Sequence, residues 1–240
     1  MDYSLLDPVS AAIFHPRADR SRPPAGALEL AAEVAPGVSL GARFHALTGS
    51  SPNILLFHGN AEVVGDYDEI AADYRKAGAG LLVVDFRGYG RSGGEPRFSS
   101  MLADAPLAAA SLCAALDARG FAGPWFAMGR SLGTHCALEL AARAAARFAG
   151  LIVESGSGEL ARLARLAGLD PAEPALAQLL ERHDAKLRSI ELPLLAIHGE
   201  RDELIPLADA RALVERLGSS SKRFEVIPGA GHNDLWWVGR

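Results

Sequence analysis

The chain has 240 residues, 49% hydrophobic and 22% charged, the proportions of a folded globular protein, which excludes disorder as its dominant state. Its net charge of −5 and isoelectric point near 5.8 exclude a broad basic surface, so no nucleic acid partner is expected. No stretch approaches the roughly 18 uninterrupted apolar residues of a membrane span, so none is expected.

The first ten residues carry Asp2 and Asp7 and lack a basic leader and an apolar run, so they do not read as a signal peptide, and a cytoplasmic location is expected. Pro, Arg and Ser crowd residues 17–26, which makes 1–26 a loop-rich N-terminal segment. Residues 28–34 and 38–47 alternate apolar and polar positions around Pro36-Gly37, as an antiparallel hairpin at a sheet edge does.

From residue 53 the texture changes to short apolar runs at 54–57, 81–86, 125–128, 151–153, 194–197 and 223–227. Between them, helical periodicity predicts helices over 67–77, 100–119, 132–147, 159–187 (broken at Pro171 and Pro174) and 207–217. This alternation is that of buried parallel strands joined by crossover helices. The expected class is α/β: one domain over 1–240, with a mostly parallel sheet, an antiparallel N-terminal edge and helices on both faces. Residues 155–192 are expected to form a small, lid-like helical segment. Cys113 and Cys136 lie in Ala/Leu-rich stretches without metal-ligand spacing and read as small core residues.

The pattern G-x-S-x-G occurs twice, at 90–94 and at 129–133, so the pattern alone decides little. A nucleophile elbow needs a strand running into the serine and a helix leaving it. Ser131 follows the run at 125–128 and precedes an Ala/Leu-rich helical segment. Ser92 is trailed by Gly93, Gly94, Glu95 and Pro96 and reads as a turn serine. The elbow places its partners downstream in the order serine, acid, histidine. His15, His45 and His58 precede Ser131. His135 sits one turn into the helix and reads as packed or capping, His183 lies in a polar helical stretch, and His198 precedes the favoured acid. His232 remains, in a glycine-rich loop after the last strand. Among the acids at strand ends, Glu154, Glu200, Asp202 and Glu203, the glycine turn at 197–202 favours Asp202, with Glu154 as the alternative. In this arrangement His232 takes the serine proton and Asp202 holds its tautomer. Oxyanion donors are expected from the Leu132 amide and from the loop after residue 57, Asn60 first and Ala61 next.

Taken together, His58-Gly59-Asn60, the Asp85 to Ser92 run, Gly129 to Gly133, His198 to Asp202 and Gly231 to Asp234 resemble the α/β-hydrolase superfamily. Within it they are most similar to the small-esterase branch described as BEM46-like or serine aminopeptidase-like, over residues 53–234. The resemblance implies a Ser-Asp-His triad, an oxyanion hole near Asn60 and Leu132, no metal or organic cofactor, and a structural role for 85–92. The chain ends eight residues after His232, short of the full final helix usual in that branch, which leaves Trp236 and Trp237 as core or as cover for a partner. The expected activity is hydrolysis of a carboxylic ester or thioester through an acyl-serine intermediate, on a small-molecule or acyl substrate. The alternatives are amide or peptide hydrolysis and a non-catalytic ligand-binding module, and nothing in the sequence excludes a homo-oligomer.

Overall fold

The computed structural model describes residues 1–239. Eight strands form one sheet: β1 (Ala27–Ala35), β2 (Val38–His45), β3 (Asn53–Phe57), β4 (Gly80–Val84), β5 (Trp125–Arg130), β6 (Phe148–Glu154), β7 (Leu194–Gly199) and β8 (Lys222–Ile227). Their spatial order is β1-β2-β4-β3-β5-β6-β7-β8. The hairpin β1–β2 is antiparallel and β2 joins β4 antiparallel; β3 through β8 run parallel. The expected mostly parallel sheet with an antiparallel N-terminal edge is the observed one.

The central strands are apolar without a break because both faces are covered. Side chains alternate across a strand, and the core divides accordingly. Leu55, Phe57, Leu82 and Val84 enter one hydrophobic cluster, while Ile54, Leu56, Leu81 and Val83 enter the other. Leu55 and Leu56 are both fully enclosed, and each contributes roughly 1.5–3 kcal/mol relative to exposure.

The larger cluster lies under α3 (Phe98–Asp117), α4 (Thr134–Arg143), α6 (Pro174–Arg188) and α7 (Leu207–Arg216). The smaller lies under α2 (Ala71–Lys76), and Trp236 of the short α8 (Leu235–Val238) packs there. Trp236 meets the Tyr74 ring at 5.3 Å, so it is a packing residue, whereas Trp237 is exposed. By length and hydropathy α3 alone among the described helices is apolar enough to cross a bilayer. Here it covers the sheet, and its Asp104 takes a bidentate pair of hydrogen bonds from Arg87 at 2.6 and 2.7 Å.

Two segments depart from the sequence reading. The N-terminal 26 residues, expected to be loop-rich, begin with a 3₁₀ turn (Ser4–Val9) running into α1 (Ser10–Ile13). The reason is spacing: Leu6, Val9 and Ile13 fall on one side of the turn and are buried with Tyr3 and Phe14. In the segment expected as a lid, α5 (Leu160–Leu166) precedes α6, with Pro174 at the first turn of α6, where a missing N–H costs nothing. The half-buried Lys186 of α6 donates to Glu139 of α4 at 2.5 Å, so α6 is part of the scaffold and, within this segment, only α5 stands over the cleft described below. Polar as its sequence is, α6 also buries His183, whose Nε2 lies 3.0 Å from the Gly158 carbonyl and Nδ1 3.2 Å from the Tyr3 hydroxyl.

Candidate active site

The carboxyl ends of β5, β7 and β8 deliver three side chains to one place. At the end of β5 the chain turns sharply into a 3₁₀ turn (Ser131–Gly133) and then α4. Ser131 has φ 50°, a left-handed conformation that costs a non-glycine residue on the order of 1 kcal/mol. The turn is so tight that a Cβ at Gly129 would overlap the Gly133 carbonyl and Thr134, and one at Gly133 would overlap the Phe57 carbonyl oxygen. Glycine is required at both positions for space, and the serine takes the strain.

The loop after β7 holds Asp202. Its Oδ1 accepts the Leu204 and Ile205 amides at 3.0 and 2.8 Å, which fixes the carboxylate before it meets a partner. Its Oδ2 lies 2.7 Å from His232 Nδ1, and His232 Nε2 lies 2.9 Å from Ser131 Oγ. Burial works to raise the Asp202 pKa, but the hydrogen bonds from His232 and the Ile205 amide outweigh it and hold the carboxyl below its ordinary value. An ionised Asp202 accepts from Nδ1–H, which leaves Nε2 to accept the Ser131 hydroxyl proton. His198 is buried beside them; its Nε2 donates to the Ile205 carbonyl at 2.9 Å and lies 3.3 Å from Asp202 Oδ2.

The alternative acid, Glu154, ends β6 and faces Arg130 at 3.2 Å. Fully enclosed, it has its pKa raised by burial against the attraction of Arg130. Glu154 thus belongs to a different arrangement, in which Arg130 also pairs with Glu62 and donates to the His232 carbonyl at 3.0 Å and to Asn233 Oδ1 at 3.1 Å. Arg130 ties the serine turn to the histidine loop. Sequence reasoning missed it because it occupies the variable position of the motif and its partners are distant in the chain.

The loop after β3 is pinned as firmly. Asn60 Oδ1 accepts from the Tyr89 hydroxyl at 2.7 Å, the His15 amide at 3.0 Å and the Ala61 amide at 2.9 Å. Ala61 therefore spends its N–H on the neighbouring side chain and falls away as an oxyanion donor. The Asn60 N–H has no hydrogen-bond acceptor among the described residues and stays available. Glu62 accepts the Gly59 amide at 2.7 Å, and Arg17 donates to the Ala61 carbonyl at 2.6 Å. Leu132, the other expected donor, sits at the N-terminal end of the turn into α4, where unpaired N–H groups and the helix dipole favour negative charge.

Ser131, Leu132 and Asn60 open onto a cleft of about 260 Å³, walled by α1, α5 and the loop after β7 through Ile13, Leu163, Leu166, Leu204 and Ile205. The contribution of α1 was hidden in a segment that reads as loop. The other motif serine, Ser92, accepts the Gly41 amide at 2.8 Å and lies outside the cleft. No group of His, Cys, Asp and Glu side chains suited to hold a metal occurs among the described residues.

A family model described as serine aminopeptidase, S33, matches residues 50–169 and 172–235. An uncharacterized protein of Mycobacterium tuberculosis is 31% identical over 215 residues, spanning 88% of this chain and 74% of its own. The monoacylglycerol lipase of Mycolicibacterium smegmatis is 25% identical over 224 residues, spanning 75% of this chain and 80% of that protein. Among solved structures, an esterase of Pyrococcus furiosus has a TM-score of 0.71 at 18% identity, over 95% of this chain and 93% of that one. The fold is the same.

Proposed function

Because the chain belongs to the serine aminopeptidase, S33, family of hydrolases and has the α/β-hydrolase fold, we propose that it cleaves a carboxylic ester or thioester through an acyl-Ser131 intermediate. The observation that carries this reading is the continuous line Ser131 Oγ, His232, Asp202, with contacts of 2.9 and 2.7 Å. His232 Nε2 takes the hydroxyl proton as Oγ attacks the acyl carbon. The oxyanion that forms is held by the Asn60 and Leu132 amides, each contributing on the order of 3 kcal/mol to the transition state. The imidazolium, stabilised by Asp202, gives its proton to the departing alcohol or thiol. Water then attacks the acyl-enzyme with His232 again as base, releasing the acid and restoring Ser131. The sequence of steps uses no cofactor.

Amide hydrolysis has the family description in its favour, since an aminopeptidase must hold a free ammonium group. The one carboxylate lining the cleft, Glu159, is committed otherwise: it accepts the Ala161 amide at 3.3 Å and lies 3.6 Å from Arg216. The ester reading is supported further by the mostly apolar walls and by the names of the lipase and esterase relatives. A fluorophosphonate probe tests the proposal. Wild type should be labelled at Ser131, Ser131→Ala should not, and ester hydrolysis by the variant should fall by about 10⁴-fold or more. A folded wild type that takes no label would sink the hydrolase reading and favour a non-catalytic module.

A further inference from the structure

The cleft beside Ser131 has apolar walls and two buried polar residues, His135 and Ser157. His135 is 6% exposed and Ser157 8%. The His135 ring packs edge-on to Phe98 at 5.4 Å, and neither of its nitrogens has a hydrogen-bond partner among the described residues. Nδ1 is fully enclosed without one, which leaves Nε2 as the atom presented to the cleft. The Ser157 hydroxyl likewise makes no hydrogen bond among the described residues. His135 Nε2 and the Ser157 hydroxyl, open to the cleft and without partners among the described residues, favour an occupant that pairs with both.

Which half of an ester enters this cleft follows from the proton transfer. The leaving oxygen must lie beside His232, the group that protonates it. The cleft is lined by Ser131, Leu132 and Asn60 but not by His232, so the half that occupies it is the acyl group. Resting on the hydrolase reading above, we propose that the preferred acyl group carries a hydroxyl along its chain, received by His135 Nε2 and Ser157, and that these two residues set acyl specificity.

A hydroxyl suits the site better than a carbonyl or an ammonium. Burial, with Lys186 adding its charge, lowers the His135 pKa to about 3, so the ring is neutral and offers either one donor or one acceptor at Nε2. A hydroxyl answers both tautomers; a carbonyl answers one, and an ammonium would be stripped of water against mostly apolar walls. Its place on the chain follows from helix geometry. His135 is four residues beyond Ser131, a rise of about 6 Å, within reach of an acyl chain of about four to six carbons.

The experiment compares kcat/KM for p-nitrophenyl hexanoate with that for its 3-hydroxy and 6-hydroxy derivatives. Wild type should prefer the 6-hydroxy ester over hexanoate by about tenfold, the worth of one hydrogen bond, with the 3-hydroxy ester as the control whose hydroxyl falls short of the site. His135→Leu should bring that ratio to about one or below, Ser157→Ala should lower it, and His135→Gln should retain part of it. Because each ratio is taken within one protein, a general loss of activity cancels. Should His135→Leu fail to fold, the wild-type ratio and Ser157→Ala still decide. A wild type that does not favour the 6-hydroxy ester, or variants that slow all esters equally, overturns the proposal while leaving the hydrolase reading intact. Cleavage of no ester together with no fluorophosphonate label would remove the hydrolase reading itself.

Discussion

Two turns in this molecule share the pattern G-x-S-x-G and use it in opposite ways. At 90–94 the left-handed conformation falls on glycines, φ 57° at Gly90 and 74° at Gly94. The serine is relaxed, and its hydroxyl is spent on the Gly41 amide. At 129–133 the left-handed conformation falls on Ser131, and the glycines are there because neighbouring backbone fills the space of a side chain. One turn uses glycine to bend, the other uses it to let strand, helix and serine crowd together. A sequence pattern records which residues are small; where the strain is placed separates the loop at 90–94 from the strand-to-helix turn at 129–133.

Substitutions at the serines separate the turns most widely. Ser131→Ala should abolish turnover, whereas Ser92→Ala should leave kcat/KM within about twofold and lower stability by about 1 kcal/mol, the net worth of one hydrogen bond. Urea unfolding and ester hydrolysis read both. Equal loss of activity from the two would erase the distinction.

The glycines give the next contrast, in stability. Gly133→Ala places a methyl group on the Phe57 carbonyl oxygen and should cost about 3 kcal/mol or more. Gly93→Ala meets nothing within 4 Å at ordinary φ and should change stability by less than about 0.5 kcal/mol. Denaturant midpoints for the two variants test this directly.

Arg130→Lys sharpens the role of the reactive turn's second position. Lysine keeps the charge between Glu62 and Glu154 but loses the fork that reaches the His232 carbonyl and Asn233. The expected result is a kcat lower by about 10-fold with KM little changed, since the histidine loop is loosened and the cleft beside Ser131 is untouched. A change confined to KM would argue against this positioning role.

Acid should produce the smallest and most gradual separation. His135 lies on the helix that the Ser131 turn begins, and His183 on α6 packed against it; burial lowers their pKa values to about 3 and about 2 from an ordinary 6.5. Above pH 6.5 neither state binds the proton and the groups contribute no pH dependence. Below it the unfolded chain takes protons that the folded chain refuses, so stability falls as pH falls, by up to about 1 kcal/mol per pH unit for each histidine. Denaturant midpoints between pH 7 and 4 should show the slope, and His183→Gln should make it shallower, with His135 and the buried His45 retaining the rest.

Chain order and periodicity carried much of this molecule. The strands, the hairpin edge and the crossover helices lie close to where the apolar runs put them, because a strand covered on both faces must be apolar throughout and a two-residue turn leaves its mark locally. Ser131, Asp202 and His232 stand together in the structure as their strand-end positions imply. What the sequence could not specify were the contacts between distant segments. Arg130 reads as a variable motif position until its partners at Glu62, Glu154 and the histidine loop are brought to it. Ala61 reads as a second choice after Asn60 for an oxyanion donor until the Asn60 side chain claims its amide. The first turn, α1, reads as loop because it is too short for periodicity to stand out, and His135 reads as mere packing until the cleft opens beside it. Local pattern sets where strands and helices form; only tertiary structure decides which polar atoms end up satisfied, because their partners come from segments distant in the chain.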